Sequence, residues 1–250
     1  MAANRTKTRS AVKKRTLKVA FVSTMDGFAW GGSEELWSRA ALDFLAQGME
    51  VSAGVCEWKP LHARMRQLSE KGVELWLRPQ SYPILKLSWQ RIAHGGVSST
   101  TLEVQSMLGA RKPTLVIFSS GGPYPPIDLV ELCMEKGIRF VTIGQANWDW
   151  NWIDDKHAAR YRRGLSAAIR CFFVSRANLT LTEKQLGCQL SNAEVVWNPF
   201  NIDYKASPSW PALGSNGELR LACVARLDPA FKGHDILFEA LSTRDWATRN

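Results

Sequence analysis

The stretch Leu17–Cys56, LKVAFVSTMDGFAWGGSEELWSRAALDFLAQGMEVSAGVC, decides the fold. Residues 17–23 form a β-branched apolar run that reads as a buried strand. A glycine-rich loop, Gly27–Gly32, follows it. Ser33 then reads as a helix N-cap, with Glu34 and Glu35 as first-turn acids. Leu36, Trp37, Ala40, Ala41, Phe44 and Leu45 recur at helical spacing on one face, and Gly48 closes the helix. Residues 50–57 resume as a strand.

The same alternation runs outward from this stretch. Leu61, Met65 and Leu68 mark a helix that Gly72 ends before a strand over 73–77. Helical segments are expected around 84–93 and 102–110, then a strong strand over 114–120. A helix over 127–136 precedes a strand over 138–144, and a tryptophan-rich loop, 145–152, leads into a basic helix over 154–168. A strand at 171–175, a helix at 177–186 and a short strand at 194–197 complete the series. Strands alternating with helices imply an α/β fold, a doubly wound parallel sheet covered on both faces.

The chain has 250 residues, 45% of them hydrophobic and 22% charged, which is ordinary for a soluble globular protein. No apolar run reaches the ~18 residues that span a bilayer. The five cysteines show neither CxxC pairs nor histidines at metal spacing, and so read as reduced, cytosolic core residues. The net charge of +9 is mostly a property of residues 1–18, which hold seven cations and no acid. The bland reading of this arm (tail 1–16) is a solubilising segment. The sharper one is contact with an anionic inner-membrane surface. Nucleic acid is not expected as a partner, because no aromatic residues interleave with the charges. The expected location is cytoplasmic, peripheral to the membrane if the tail binds it.

Residues 198–217 are rich in proline, glycine and serine without periodicity, and read as a linker. The expected organisation is a domain over 17–200, a linker over 201–217, and the start of a second domain over 218–250. One strand and one helix are too little for a doubly wound domain, so the second domain is expected to be incomplete.

That second segment, Leu219–Leu241, reads as a strand, a turn carrying Arg226 and Lys232, and a helix. Two cations between a strand end and a helix N-terminus suit a diphosphate: arginine grips two oxygens and lysine adds a point charge. Gly233 allows close backbone approach. The competing reading is an exposed basic loop. Gly31, Gly32, Ser33 and Glu34, between the first strand and helix, can offer backbone N–H groups to a phosphate or sugar, or simply connect the elements. They do not make the G-x-G-x-x-G dinucleotide fingerprint.

With these phrases in this order the chain resembles a family 4 retaining glycosyltransferase, a family with two facing Rossmann-like domains (the GT-B architecture). GGSEELWSRAALDFLAQGMEVSAGV resembles the family's first loop, helix and strand. FFVSRANLTLTEKQLG and AEVVWNPFNID resemble its strand, helix and Asn-Pro segment. ARLDPAFKGHDILFEAL resembles its donor-phosphate motif. The resemblance covers roughly residues 17–241. It implies transfer of a sugar from a nucleotide-diphosphate donor with retention at the anomeric carbon. It places Arg226 and Lys232 as the catalytic cations on the donor diphosphate. Gly31, Gly32, Ser33 and Gly233 become the donor-binding residues. No metal is expected, since two cations already neutralise the diphosphate. Two family features are missing: a Glu-x7-Glu segment, which would fall beyond residue 250, and a histidine after the fourth strand, where this chain reads FSSGGPYPP over 118–126.

Ser120 and Gly121 in that segment are placed at the cleft, at a strand's carboxyl end. In the tryptophan loop, Trp148 and Trp150 offer faces for the apolar side of a sugar, and Gln145, Asn147 and Asp149 offer hydrogen bonds to its hydroxyls. The competing reading is that some of these tryptophans pack under the loop. Arg160, Arg162 and Arg163 read as a solvated helix face, with contact to an acidic acceptor or lipid headgroup as the alternative. His62, His94 and His234 read as structural. The expected function is glycosyl transfer from a nucleotide sugar to a saccharide, lipid or small-molecule acceptor, with the isolated chain weakly active or inactive. The alternatives are a non-catalytic saccharide- or nucleotide-binding fragment, a dinucleotide-dependent oxidoreductase and, weakest, a structural role.

Overall fold

The computed structural model describes residues 16–80, 99–207, 209, 221–243 and 246. The basic tail up to residue 15, the helix expected around 84–93, and His94 lie outside the described residues. Two compact units make up the chain, Met1–Pro199 and Phe200–Asn250.

In the first unit β1 (Lys18–Ser23), α1 (Gly32–Ala46), β2 (Glu50–Cys56), α2 (Ala63–Glu70) and β3 (Glu74–Arg78) come first. Next come α3 (Ser99–Arg111), β4 (Leu115–Ser120), α4 (Ile127–Glu135), β5 (Arg139–Gly144) and α5 (Asp155–Ala167). The unit closes with β6 (Cys171–Phe173), α6 (Arg176–Leu186) and β7 (Ala193–Val195). The seven strands form one sheet in the order β3-β2-β1-β4-β5-β6-β7, and every neighbouring pair is parallel. The parallel α/β fold expected from the alternation is the fold observed.

Each central strand is buried on both sides, which is why it reads as an unbroken apolar run. Val19 and Phe21 of β1 face a core made with Trp37 and Ala41 of α1 and Met65 and Leu68 of α2. Ala20 and Val22 face the other core, with Met107 of α3, Leu129 of α4 and Leu165 of α5. Two glycines are set by packing. A Cβ on Gly164 of α5 would meet Val130 Cγ1 at 2.9 Å, and one on Gly144 would meet the Phe173 ring at 3.1 Å. α5 therefore packs on α4 so closely that a side chain at position 164 would force Val130 to shift.

Several expectations need correction. The N-cap of α1 is Gly31, in extended conformation, and Ser33 lies inside the first turn. Already within the helix, its hydroxyl instead donates to Glu34 Oε2 at 2.6 Å. Of the arginines of α5, Arg163 is exposed as expected, but Arg160 and Arg162 are half-buried and all three are engaged. Arg160 bridges Asp128 and Glu131 of α4 at 2.6 and 2.5 Å, and Arg163 joins Glu131 at 2.6 Å. Arg162 donates to the Leu186 carbonyl at 2.7 Å. Cys56, Cys133 and Cys171 are buried as expected of core cysteines, but Cys223 is exposed.

The second unit contributes α7 (Pro229–Lys232) and α8 (His234–Ser242). The strand expected over 219–224 does not form within Leu221–Val224, where Leu221 and Val224 are 64% and 97% exposed. A strand exists only by pairing, and no partner strand occurs among the described residues of this unit. No helix among the described residues is long and apolar enough to cross a membrane.

Candidate functional site

The strand order reverses direction at β1, with β2 on one side and β4 on the other. Open α/β sheets bind ligands at such a switch point, beyond the carboxyl ends of the strands. Here β1 ends at Ser23 and β4 at Ser120, with Ser23 in register with Ser119. The Thr24 N–H donates to the Ser119 carbonyl at 3.0 Å, and the Gly121 N–H donates to Thr24 Oγ1 at 3.3 Å. The loop after β1 is thereby stitched to the loop after β4.

Gly31 and Gly121 meet around one side chain. A Cβ on Gly31 would lie 3.5 Å from Met25 Cε, and one on Gly121 would lie 3.9 Å from the same methyl. Gly32 is exposed and has no atom within 4 Å of a Cβ position, so its backbone is open to approach. Ser119 and Ser120 are 1% and 2% exposed, and neither hydroxyl has a hydrogen-bond partner among the described residues. Buried hydroxyls normally find one.

Glu34 sits in the first turn of α1 and is almost fully buried. Its carboxylate accepts from Ser23 Oγ and Ser33 Oγ, both at 2.6 Å. Two short charge-assisted bonds and the positive end of the helix offset the cost of burying the charge. Glu35, also buried, accepts from Trp30 Nε1 at 2.8 Å. The N-terminus of α1 thus already carries two carboxylates.

Arg78, the last residue of β3, is 4% exposed. Its guanidinium Nη2 donates to the Ser23 carbonyl at 2.6 Å and lies 3.5 Å from Asp26 Oδ1, while its Nε has no partner among the described residues. One polar chain therefore runs from Arg78 through Ser23 and Glu34 to Ser33, holding the start and end of the glycine loop. His62 closes the outer side. It caps α2 by accepting from the Arg64 N–H at 3.3 Å, and it stacks on Trp30 at 5.4 Å between centroids.

The tryptophan loop after β5 divides into inward and outward groups. Asn147 Nδ2 donates to Thr182 Oγ1 at 2.9 Å and Gln185 Oε1 at 2.8 Å, and its Oδ1 accepts from the Trp148 N–H at 2.8 Å. Gln145 Oε1 accepts from Asn198 Nδ2 at 2.9 Å, and its Nε2 is buried. The Asn147 amide is thus engaged within the unit, as is Gln145 Oε1, while Gln145 Nε2 has no partner among the described residues. Trp148 is half-buried beside Gly122 and stacks on Trp150, with centroids 5.5 Å apart and planes at 19°. Asp149 and Trp150 point outward, and Trp150 is 76% exposed.

In the second unit Arg226 Nη2 stands 3.8 Å from Asp228 Oδ2. Lys232 ends the single turn of α7 and is exposed. Gly233 is left-handed at φ 63°, so glycine is needed there for the corner between α7 and α8. His234 opens α8 as a buried residue.

Sequence reasoning missed Arg78, Met25 and the α6 residues that hold the loop. Arg78 gave no signal, since a cation at a strand end reads as solvated. Asn178, Thr182 and Gln185 did give one: polar residues at i, i+4 and i+7 form a stripe on one helix face.

Solved structures similar to this chain include Alr3699/HepE of Anabaena in complex with UDP. It is 12% identical with a TM-score of 0.50, over 74% of this chain and 44% of that one. The same Anabaena protein in complex with UDP-glucose matches at 15% identity and a TM-score of 0.46, over 77% and 47%. The glycotransferase of kitacinnamycin matches at 13% identity and a TM-score of 0.43, over 80% and 56%. The first likeness shows a shared α/β fold. The chain spans less than half the length of the Anabaena protein. No protein-family model and no curated protein matches the chain.

Proposed function

We propose that this chain binds a nucleotide-diphosphate sugar and serves in transfer of that sugar to a saccharide, lipid or small-molecule acceptor, with retention of configuration. The observation that carries the reading is the β1/β4 switch point, where Gly31 and Gly121 flank one methyl group next to Ser119 and Ser120, whose buried hydroxyls have no partner among the described residues. The neighbour that shares the fold was solved with UDP, which supports a nucleoside diphosphate as the ligand.

Arg226 and Lys232 are the proposed diphosphate grip. In the free protein Asp228 lies beside Arg226 and competes for it. Charge growing on the departing diphosphate is where two fixed cations help most, and they make a metal unnecessary. The acceptor proton can pass straight to that leaving group, so no protein base is assigned. Glu34 and Glu35 at the head of α1 disfavour a phosphate there, so Gly31–Gly32 is assigned to the sugar. The proposal places the protein in the cytoplasm, with the basic tail as a peripheral contact to anionic membrane.

A titration of the chain with UDP, GDP and ADP, followed by calorimetry, tests the reading. Binding of one of them, lost in an Arg226→Ala/Lys232→Ala variant, is expected. Equal affinity in that variant would sink the assignment.

A second reading is binding without turnover. It is favoured by the exposure of Leu221, Val224 and Leu227 around Arg226, because a catalytic cation needs a rigid support. Nucleotide-sugar consumption measured beside binding on one sample separates the two.

A further inference from the structure

We infer that the tip of the loop between β5 and α5 is a stacking platform for a non-anionic pyranose, which makes the acceptor a saccharide rather than a lipid headgroup. The role as acceptor rests on the glycosyl-transfer reading, while the binding chemistry rests on the loop alone.

The platform is built before any ligand arrives. Trp150 stacks on Trp148, leaving its other face in water. The Trp148 carbonyl accepts from Gln185 Nε2 at 2.8 Å, and its N–H donates to Asn147, whose amide is in turn tied to Thr182 and Gln185. Asn178 Nδ2 adds a bond to the Gln145 carbonyl at 3.2 Å. A loop held this way loses little freedom when a ligand lands on it. Rigid indoles are efficient anchors for the same reason.

The chemistry of the tip selects the ligand. An exposed indole face matches the flat C–H face of a pyranose. Asp149 stands beside it, exposed and without an ion pair among the described residues. A carboxylate only accepts, and it suits two adjacent hydroxyls. Asp154 is engaged at the start of α5, where it caps the helix and bonds His157 Nδ1 at 2.6 Å, so the carboxylate offered at the tip is that of Asp149. That carboxylate repels phosphorylated or carboxylated sugars and anionic lipid headgroups within a Debye length.

The test titrates the labelled chain with methyl glycosides of glucose, galactose, mannose and N-acetylglucosamine, with methyl glucuronide, and with phosphatidylglycerol vesicles. The readouts are the indole N–H resonances and tryptophan fluorescence. At least one neutral glycoside is expected to shift the Trp150 resonance with millimolar affinity. Trp150→Ala should weaken that binding about tenfold, and Trp150→Phe should restore part of it. The inference is overturned if no neutral glycoside responds, if the glucuronide or the vesicles perturb Trp150 as strongly as a neutral glycoside does, or if Trp150→Ala changes nothing. A nucleoside diphosphate titration of the same sample separates the two readings. Nucleotide binding without glycoside binding overturns the platform alone. Glycoside binding without nucleotide binding keeps the platform and removes the transfer reading.

Discussion

Ser23 Oγ stands 2.6 Å from Glu34 Oε1, which ties the last residue of β1 to the first turn of α1. The bond spans the whole glycine loop, so the strand end and helix start move together. Glu34→Ala would leave the Ser23 and Ser33 hydroxyls without their acceptor in a buried place. The expected loss is about 1–3 kcal/mol in denaturant unfolding. Glu34→Gln, which keeps one acceptor oxygen, should lose less.

Arg78 reaches across β2 to the Ser23 carbonyl from the end of β3. Arg78→Met removes a buried charge and leaves that carbonyl without its strongest donor, at a cost of about 1–3 kcal/mol. Hydrogen exchange across residues 24–31 should rise more than exchange in β5. Uniform protection in both regions would show that Arg78 does not hold the loop.

Two glycines separate packing from function. Gly164→Ala puts a methyl 2.9 Å from Val130 Cγ1 and should destabilise by about 1–3 kcal/mol through overpacking. Gly32→Ala meets no atom within 4 Å, so the melting temperature should hold or rise slightly. If the loop approaches a ligand closely, nucleotide-sugar affinity should nevertheless fall in Gly32→Ala. Unchanged affinity there would remove Gly32 from the site.

The Arg160 hydrogen bond holds the Glu131 carboxyl below its ordinary value of 4.5, and Arg163 adds to the effect. A depressed carboxylate binds fewer protons folded than unfolded. Its stabilising contribution is therefore present above pH 4.5 and fades as pH falls through the folded value. Unfolding free energies of the natural protein and Glu131→Gln should differ at neutral pH and converge in acid. A constant difference across pH would count against the bridge.

Burial pushes the Cys133 thiol up to about 12 and the Cys171 thiol to about 11, while Cys223 is exposed. A thiol that stays protonated is a poor nucleophile. Alkylation of the native protein at pH 8 should label Cys223 first, with Cys133 and Cys171 reacting only on unfolding. Equal labelling rates would mean that the sheet opens easily.

Much of the fold was legible because its signals are local. The runs at 17–23 and 114–120 are apolar at every register because both faces of a parallel strand are covered. The helix after Gly32 showed its face at helical spacing. The strand expected around Leu221 failed for the opposite reason: its apolar run is real, but a strand forms only against a neighbour. Ser33 was misplaced as a cap because sequence shows which residues can cap, not at which residue the first turn begins.

By itself the sequence determined the alternation of strands and helices, hence the parallel sheet, and the glycines that open α1. Tertiary structure alone decided which side chains meet. Arg78 finds Ser23 across 55 positions of chain, Gly121 finds Thr24 across 97, and Asn147 is taken up by α6 while Trp150 is left in water. Periodicity is a property of neighbours along the chain. These pairings depend on strand order and register, which are settled only when the whole sheet closes its two cores.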